Sequence, residues 1–135
     1  MKTRIGLLLL PIAGLLGFLV VAAEAASPFD GTYQVVSATK VNQTHMNKGG
    51  DIGYCQDRTP GPFTIADGVA RYTTQSGDTL VAQVAPNGEF EMHYVEADGS
   101  GALRALGEIG DTQRVYVRQM GNSCSYDFVW QKQPN

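Results

Sequence analysis

Glu89, Glu91 and His93 stand at alternate positions, so in a strand all three project from one face. Two carboxylates and an imidazole can hold zinc or copper. Same-face neighbours on a strand are about 7 Å apart, however, so one ion would need a further donor from an adjacent strand. The competing reading is a solvated face on which Glu91 pairs with Arg104. The register deduced below sets Arg104 opposite His93, and a cation there opposes a metal. His45 and Met46 form a second combination, soft enough for copper, but no second soft ligand accompanies them. His45 therefore reads as an exposed loop residue. Gly99-Ser100-Gly101 lacks the strand-to-helix context of a nucleophile elbow. No phosphate loop, dinucleotide fingerprint or zinc helix occurs. The expectation is a chain that is not an enzyme and needs neither metal nor cofactor.

The remaining reactive residues are Cys55 and Cys124, the only two cysteines. Their compartment is set by residues 1–25. Lys2 and Arg4 precede an apolar run from Ile5 to Ala23, and Ala23-Glu24-Ala25 offers a small-x-small cleavage site. This is the pattern of a secretory signal peptide. A spanning helix would need about 20 apolar residues with anchoring flanks. Here the run carries Pro11 and ends without basic residues. No cysteine follows the run to carry a lipid. The expectation is a periplasmic or secreted domain over residues 26–135, free of the membrane after cleavage. In such a compartment Cys55 and Cys124 are expected to form one disulfide. A loop of about 70 residues closed in this way contributes on the order of 4 kcal/mol in the loop-entropy picture. No Cys-x-x-Cys supports redox or metal work instead.

The full chain carries a net charge of −3, and loss of Lys2, Arg4 and Glu24 makes it one unit more negative. With no basic run, neither nucleic acid nor an anionic membrane surface is an expected partner. A monomer is expected.

After residue 26 short alternating segments recur, each closed by a glycine-containing turn, which argues for an antiparallel all-β domain. Asp67-Gly68 fits a two-residue type I′ turn, setting Ile65 against Ala70 and Phe63 against Tyr72. Gln75-Ser76-Gly77 sets Tyr72 against Leu80. Pro86-Asn87-Gly88 sets Val84 against Phe90, Ala82 against Met92 and Leu80 against Tyr94. Asp98-Gly99 sets Tyr94 against Leu103 and Met92 against Ala105. A loop of Ile109 to Asp111 would set Leu103 against Val117. Gly121-Asn122 would pair Val117 with Tyr126, Val115 with Phe128, and leave Asp127 opposite Tyr116. These registers collect one continuous apolar face, and agreement of turn chemistry with pattern supports them. With a first strand near Gly31 to Thr39, the prediction is an up-and-down meander of about eight strands. It would form a small closed or nearly closed barrel, strand 1 meeting strand 8. A half-rolled sheet or sandwich is the alternative.

Residues 40–61 interrupt the regular spacing. Loops longer than about 12–15 residues are often functional. Hairpin parity puts this loop at the end that carries Cys124, so the disulfide would tie it over one barrel mouth. The bond either restrains an insertion or holds a lid. Inward tyrosines need a polar partner or water, which makes Tyr54, Tyr94 and Tyr126 the candidate ligand mouth. Arg104, Arg114, Tyr116 and Arg118 share an outer face and form the candidate interaction face, against an ordinary mixed-charge surface. Asn42-Gln43-Thr44 matches a glycosylation sequon.

Phe29-Asp30-Gly31-Thr32-Tyr33, the Pro62–Val69 hairpin, and the late Cys124-Ser125-Tyr126 with Trp130 together carry a resemblance. The chain resembles small exported bacterial proteins of uncharacterised function that share these features. That resemblance implies a periplasmic β domain and transfers no active site. The chain is also loosely similar to periplasmic protease-inhibitor barrels, which place both cysteines early, whereas Cys124 is late. The expected function is thus a non-catalytic domain acting on an unidentified protein partner. The alternatives are small-molecule binding in the mouth under residues 40–61 and, more weakly, inhibition of a secreted hydrolase. An interior pocket or a solid core separates the first two.

Overall fold

A computed structural model describes residues 27–135 apart from 97, 100 and 112. The expected signal peptide, residues 1–25, lies outside the described residues, as does Ser100 of the Gly-Ser-Gly turn. The described elements are ten strands: β1 (Gly31–Lys40), β2 (Thr44–Met46), β3 (Ile52–Tyr54), β4 (Phe63–Ala66), β5 (Val69–Thr73), β6 (Thr79–Gln83), β7 (Glu89–Val95), β8 (Ala102–Ile109), β9 (Arg114–Met120) and β10 (Ser125–Lys132). Eight of them form one antiparallel sheet in the order β6-β5-β4-β1-β10-β9-β8-β7. The sheet curls into a nearly closed barrel with one unsealed seam. Strands β2 and β3 form a separate hairpin inside the long loop.

The opening Phe29-Asp30-Gly31 has a visible job. Both carboxylate oxygens of Asp30 accept backbone hydrogen bonds, from Asp67 at 2.9 Å and Gly68 at 3.0 Å. Those two residues take positive φ, 50° and 75°, as a type I′ turn requires. The predicted β4–β5 register follows, with Phe63 opposite Tyr72 and Ile65 opposite Ala70. Tyr72–Leu80 and Met92–Ala105 also stand as expected.

Three expected registers are corrected. Strands β6 and β7 share no ladder, so Val84–Phe90, Ala82–Met92 and Leu80–Tyr94 are not hydrogen-bonded pairs. The strands stay close, but the backbone hydrogen bonding among the described residues is confined to the turn, where the Ala85 N–H donates to the Glu89 carbonyl at 2.8 Å. Each strand is held by its other neighbour instead. A Cβ at Gly107 would fall inside the Phe90 ring, so the absent side chain lets Phe90 fill the inward site opposite it and binds β7 to β8. The β8–β9 turn slides forward and is closed by Gly110 N–H to the Arg114 carbonyl at 2.9 Å, with Gln113 at φ 59° in the left-handed position expected of a glycine. Leu103 therefore does not face Val117, which is opposite Gly107. Residues 121–124 form a longer turn closed by Gly121 N–H to Cys124 carbonyl, 3.0 Å. Val117 then meets Phe128, and Asp127 meets Arg118 rather than Tyr116. The β8–β9 and β9–β10 shifts are even-numbered, so each side chain keeps its predicted face.

The interior is solid. Phe90, Phe128, Trp130 and Leu80 are 6%, 2%, 0% and 0% exposed. Trp130 packs 5.1 Å from Phe63, 5.2 Å from Tyr72 and 5.7 Å from Phe128, ring centre to ring centre. Three polar groups of the aromatic core find protein partners. Tyr72 donates to Gln119 at 2.8 Å, Trp130 to the Gly61 carbonyl at 2.9 Å, and Tyr33 to the Phe29 carbonyl at 2.6 Å. Burial pushes the Tyr72 phenol far above its ordinary pKa, so it remains a donor. No helix of the described residues is long and apolar enough to cross a membrane.

Candidate functional site

Residues 40–61 are fastened along their length. The Cys55–Cys124 disulfide is formed. Asn42 acts as a clamp: its carboxamide oxygen accepts from Ser125 N–H at 2.8 Å, while its nitrogen donates to the Ser123 and Thr44 carbonyls at 2.8 and 3.1 Å. These bonds give the sequon asparagine a structural task. Further along, Tyr126 donates to the Gln56 carbonyl at 2.8 Å, and Thr59 N–H donates to the Gln75 side chain at 2.7 Å. Lys40 pairs with Asp57 at 3.0 Å.

Between these anchors the loop rises as the β2–β3 hairpin, pairing Thr44 with Tyr54, His45 with Gly53 and Met46 with Ile52. The turn repeats the design read at 75–77, a three-residue loop ending in a left-handed glycine, here Gly50 at φ 85°. The two hairpin faces differ. On one, the His45 imidazole lies so close over Gly53 that a Cβ there would collide with it. His45 Nδ1 is buried without a hydrogen-bond partner. The other face carries Met46, Ile52 and Tyr54, which are 74%, 66% and 77% exposed.

Beside the hairpin, the barrel mouth holds a cavity of about 420 Å³ lined by His45, Tyr54, Gln56, Arg58, Gln119 and Tyr126 among others. Among the described residues no acidic side chain lines it, and Arg58 brings a positive charge. Two of the three expected mouth tyrosines, Tyr54 and Tyr126, border this cavity, and Tyr126 spends its hydroxyl on the loop backbone. Tyr94 is not among the lining residues. Burial and the Asp78 carboxylate raise its pKa, and its hydroxyl lies 3.4 Å from Glu96.

The outer arginines are each engaged. Arg104 donates to Glu91 at 2.6 Å, Arg114 to Gln131 at 2.8 Å, and Arg118 grips both oxygens of Asp127 at 2.8 Å. The Arg104 hydrogen bond is the largest cause holding Glu91 below the usual carboxylate range, and the Arg118 hydrogen bond does the same to Asp127. His93 also lies 2.8 Å from Glu91. Glu91 and His93 thus form part of a paired charge surface, on which Glu89 has no ion pair among the described residues. Among the described residues no three metal-ligating side chains converge.

Met46 appeared in the sequence only as a weak copper ligand, Ile52 was not singled out, and Gln119 was missed. The signals were present. Lys48-Gly49-Gly50 matches the Gln75-Ser76-Gly77 turn, and apolar residues at 46, 52 and 54 share the resulting face. Gln119 lies two residues beyond inward Val117.

Compared with known proteins, the chain matches no family model, no curated protein and no solved structure.

Proposed function

We propose that this protein is an exported, non-catalytic binding domain that works by contact with another protein, offering the tip of the β2–β3 hairpin. One observation carries the reading. Three large apolar side chains, Met46, Ile52 and Tyr54, stand exposed on a single hairpin face that a disulfide and the Asn42 clamp hold in place. Contiguous exposed apolar groups mark contact sites, and methionine and tyrosine are enriched there. Holding the tip beforehand removes part of the ordering cost of association. Export is supported by the residue pattern of 1–25 and by the disulfide, which belongs to oxidising compartments.

The test is photo-crosslinking in an exporting bacterial host, with the probe at Ile52 or, as control, at Thr79 on β6. A discrete adduct is expected from position 52 alone, and it should vanish when Met46→Asp is added. Equal adducts at both positions, or none at 52, would overturn the reading. A second reading, a small polar solute in the mouth, is favoured by the cavity of about 420 Å³. Native mass spectrometry of the exported protein separates the two, because a bound small molecule adds a fixed mass that Gln56→Trp should abolish.

A further inference from the structure

The outer wall of β7, β8 and β9 carries a charge imbalance that the hairpin does not explain. Glu89 and Glu108 are direct cross-strand partners. Like charges in that position destabilise a sheet. Among the described residues neither carboxylate has an ion pair, although every neighbouring acid on this wall has one: Glu91 with Arg104 and His93, Asp127 with Arg118. Arg104 and Arg118 are therefore taken up by Glu91 and Asp127, and Arg114 turns to the neutral Gln131 side chain, which leaves two opposed carboxylates without an ion pair.

A second feature lies beside them. The same strands bound an open groove of about 770 Å³ whose lining includes Glu89, Glu91, Leu106, Glu108, Tyr116 and Val129. The register orders these side chains. Glu108 faces Tyr116, and Tyr116 faces Val129, so one row runs from carboxylates to an aromatic ring to an aliphatic side chain. Leu106 and Tyr116 are each 40% exposed.

We propose that this groove receives a lysine or arginine of a partner protein, held in an extended segment with apolar flanks. The cationic head lies between Glu89 and Glu108. Its aliphatic stem crosses the Tyr116 ring, where a cation is also favoured. The flanking apolar residues cover Leu106 and Val129. Charge complementarity selects this occupant. An acidic segment would meet two carboxylates without an ion pair, and an anionic lipid surface would be repelled in the same way. This surface is separate from the hairpin tip, and the two proposals stand or fall independently.

The test uses the exported protein, disulfide intact, and two acetylated synthetic peptides, one alternating lysine with leucine and its glutamate–leucine twin. In two-dimensional amide NMR titrations, the lysine peptide should shift resonances of residues 89, 106, 108 and 116. The double variant Glu89→Gln/Glu108→Gln should weaken its binding by about tenfold. The same variant should melt at a higher temperature than the parent, since it relieves the like-charge pair. Ile52→Asp should leave the titration unchanged. Shifts that map elsewhere, equal binding of the glutamate twin, or unchanged affinity in the double variant would overturn the proposal.

Discussion

The barrel wall is joined in two contrasting ways at β1–β10 and β6–β7. Strands β1 and β10 are far apart in sequence, yet they pair from Tyr33–Lys132 to Lys40–Tyr126, interrupted only by a bulge at Val36. The union continues past the strand ends through Val41 N–H to Ser125 carbonyl, 2.8 Å, and the Asn42 clamp. It finishes at the Cys55–Cys124 bond. Strands β6 and β7 are neighbours in sequence, yet past the 85–89 turn they lie side by side without a ladder. Proximity along the chain lowers the entropy of closing a hairpin, but it does not guarantee a ladder. Side-chain fit favours the β8 side: Phe90 drops into the site left by Gly107.

The contrast can be tested by weakening each junction. Trp130→Ala should cost about 3–5 kcal/mol, because Trp130 is fully buried opposite Val35 and its loss also strands the Gly61 carbonyl. Urea unfolding measures this, and a cost no larger than that of Val81→Ala on β6 would break the comparison. Replacing both cysteines with serine should cost up to about 4 kcal/mol. Hydrogen exchange should then quicken over residues 41–61 while β6 and β7 amides stay as they were. Tyr94→Phe, beside the open seam, should cost about 1 kcal/mol or less. Its signature is faster exchange in β6 and β7 without change in β1 or β10.

The smallest effect concerns pH. Arg118 lowers the pKa of Asp127 in the folded state. The pair therefore adds stability above the unfolded aspartate pKa of about 3.9, and that gain is lost as pH falls through the folded value. Both partners are about half exposed, so the gain is at most about 1 kcal/mol. Melting temperatures of the parent and of Asp127→Asn, followed from pH 7 to pH 2, should converge at the acid end.

Alternation and turn residues were enough to read the sheet, its inward face and its closure between first and last barrel strands, because both signals are local. Exact register was readable where the turn had one favoured form, as at Asp67-Gly68. It slipped at the β8–β9 turn, where Gln113 adopts the left-handed conformation that favours glycine, and at 121–124, where a longer turn preserved the faces. The open seam was hidden because it depends on Phe90 meeting Gly107 across a different pair of strands. The site was half visible. The tether and its end of the barrel followed from Cys55, Cys124 and hairpin parity, but the exposed tip required seeing that residues 44–54 fold as a hairpin of their own. The arginine face looked available because type and parity show which side chains share a surface, not that Arg104 and Arg118 already hold Glu91 and Asp127.

The position of β10 in the sheet also governs when the barrel can exist during synthesis. The strands made before it form two meanders, β1-β4-β5-β6 and β7-β8-β9, joined in sequence at the 85–89 turn but not by a ladder. Strand β10 bridges them by pairing β1 on one side and β9 on the other. A nascent chain that has not yet released residues 125–132 therefore has no route to the closed wall or to the complete Asn42 clamp. Late completion of this kind keeps the chain open until translation has passed its keystone strand.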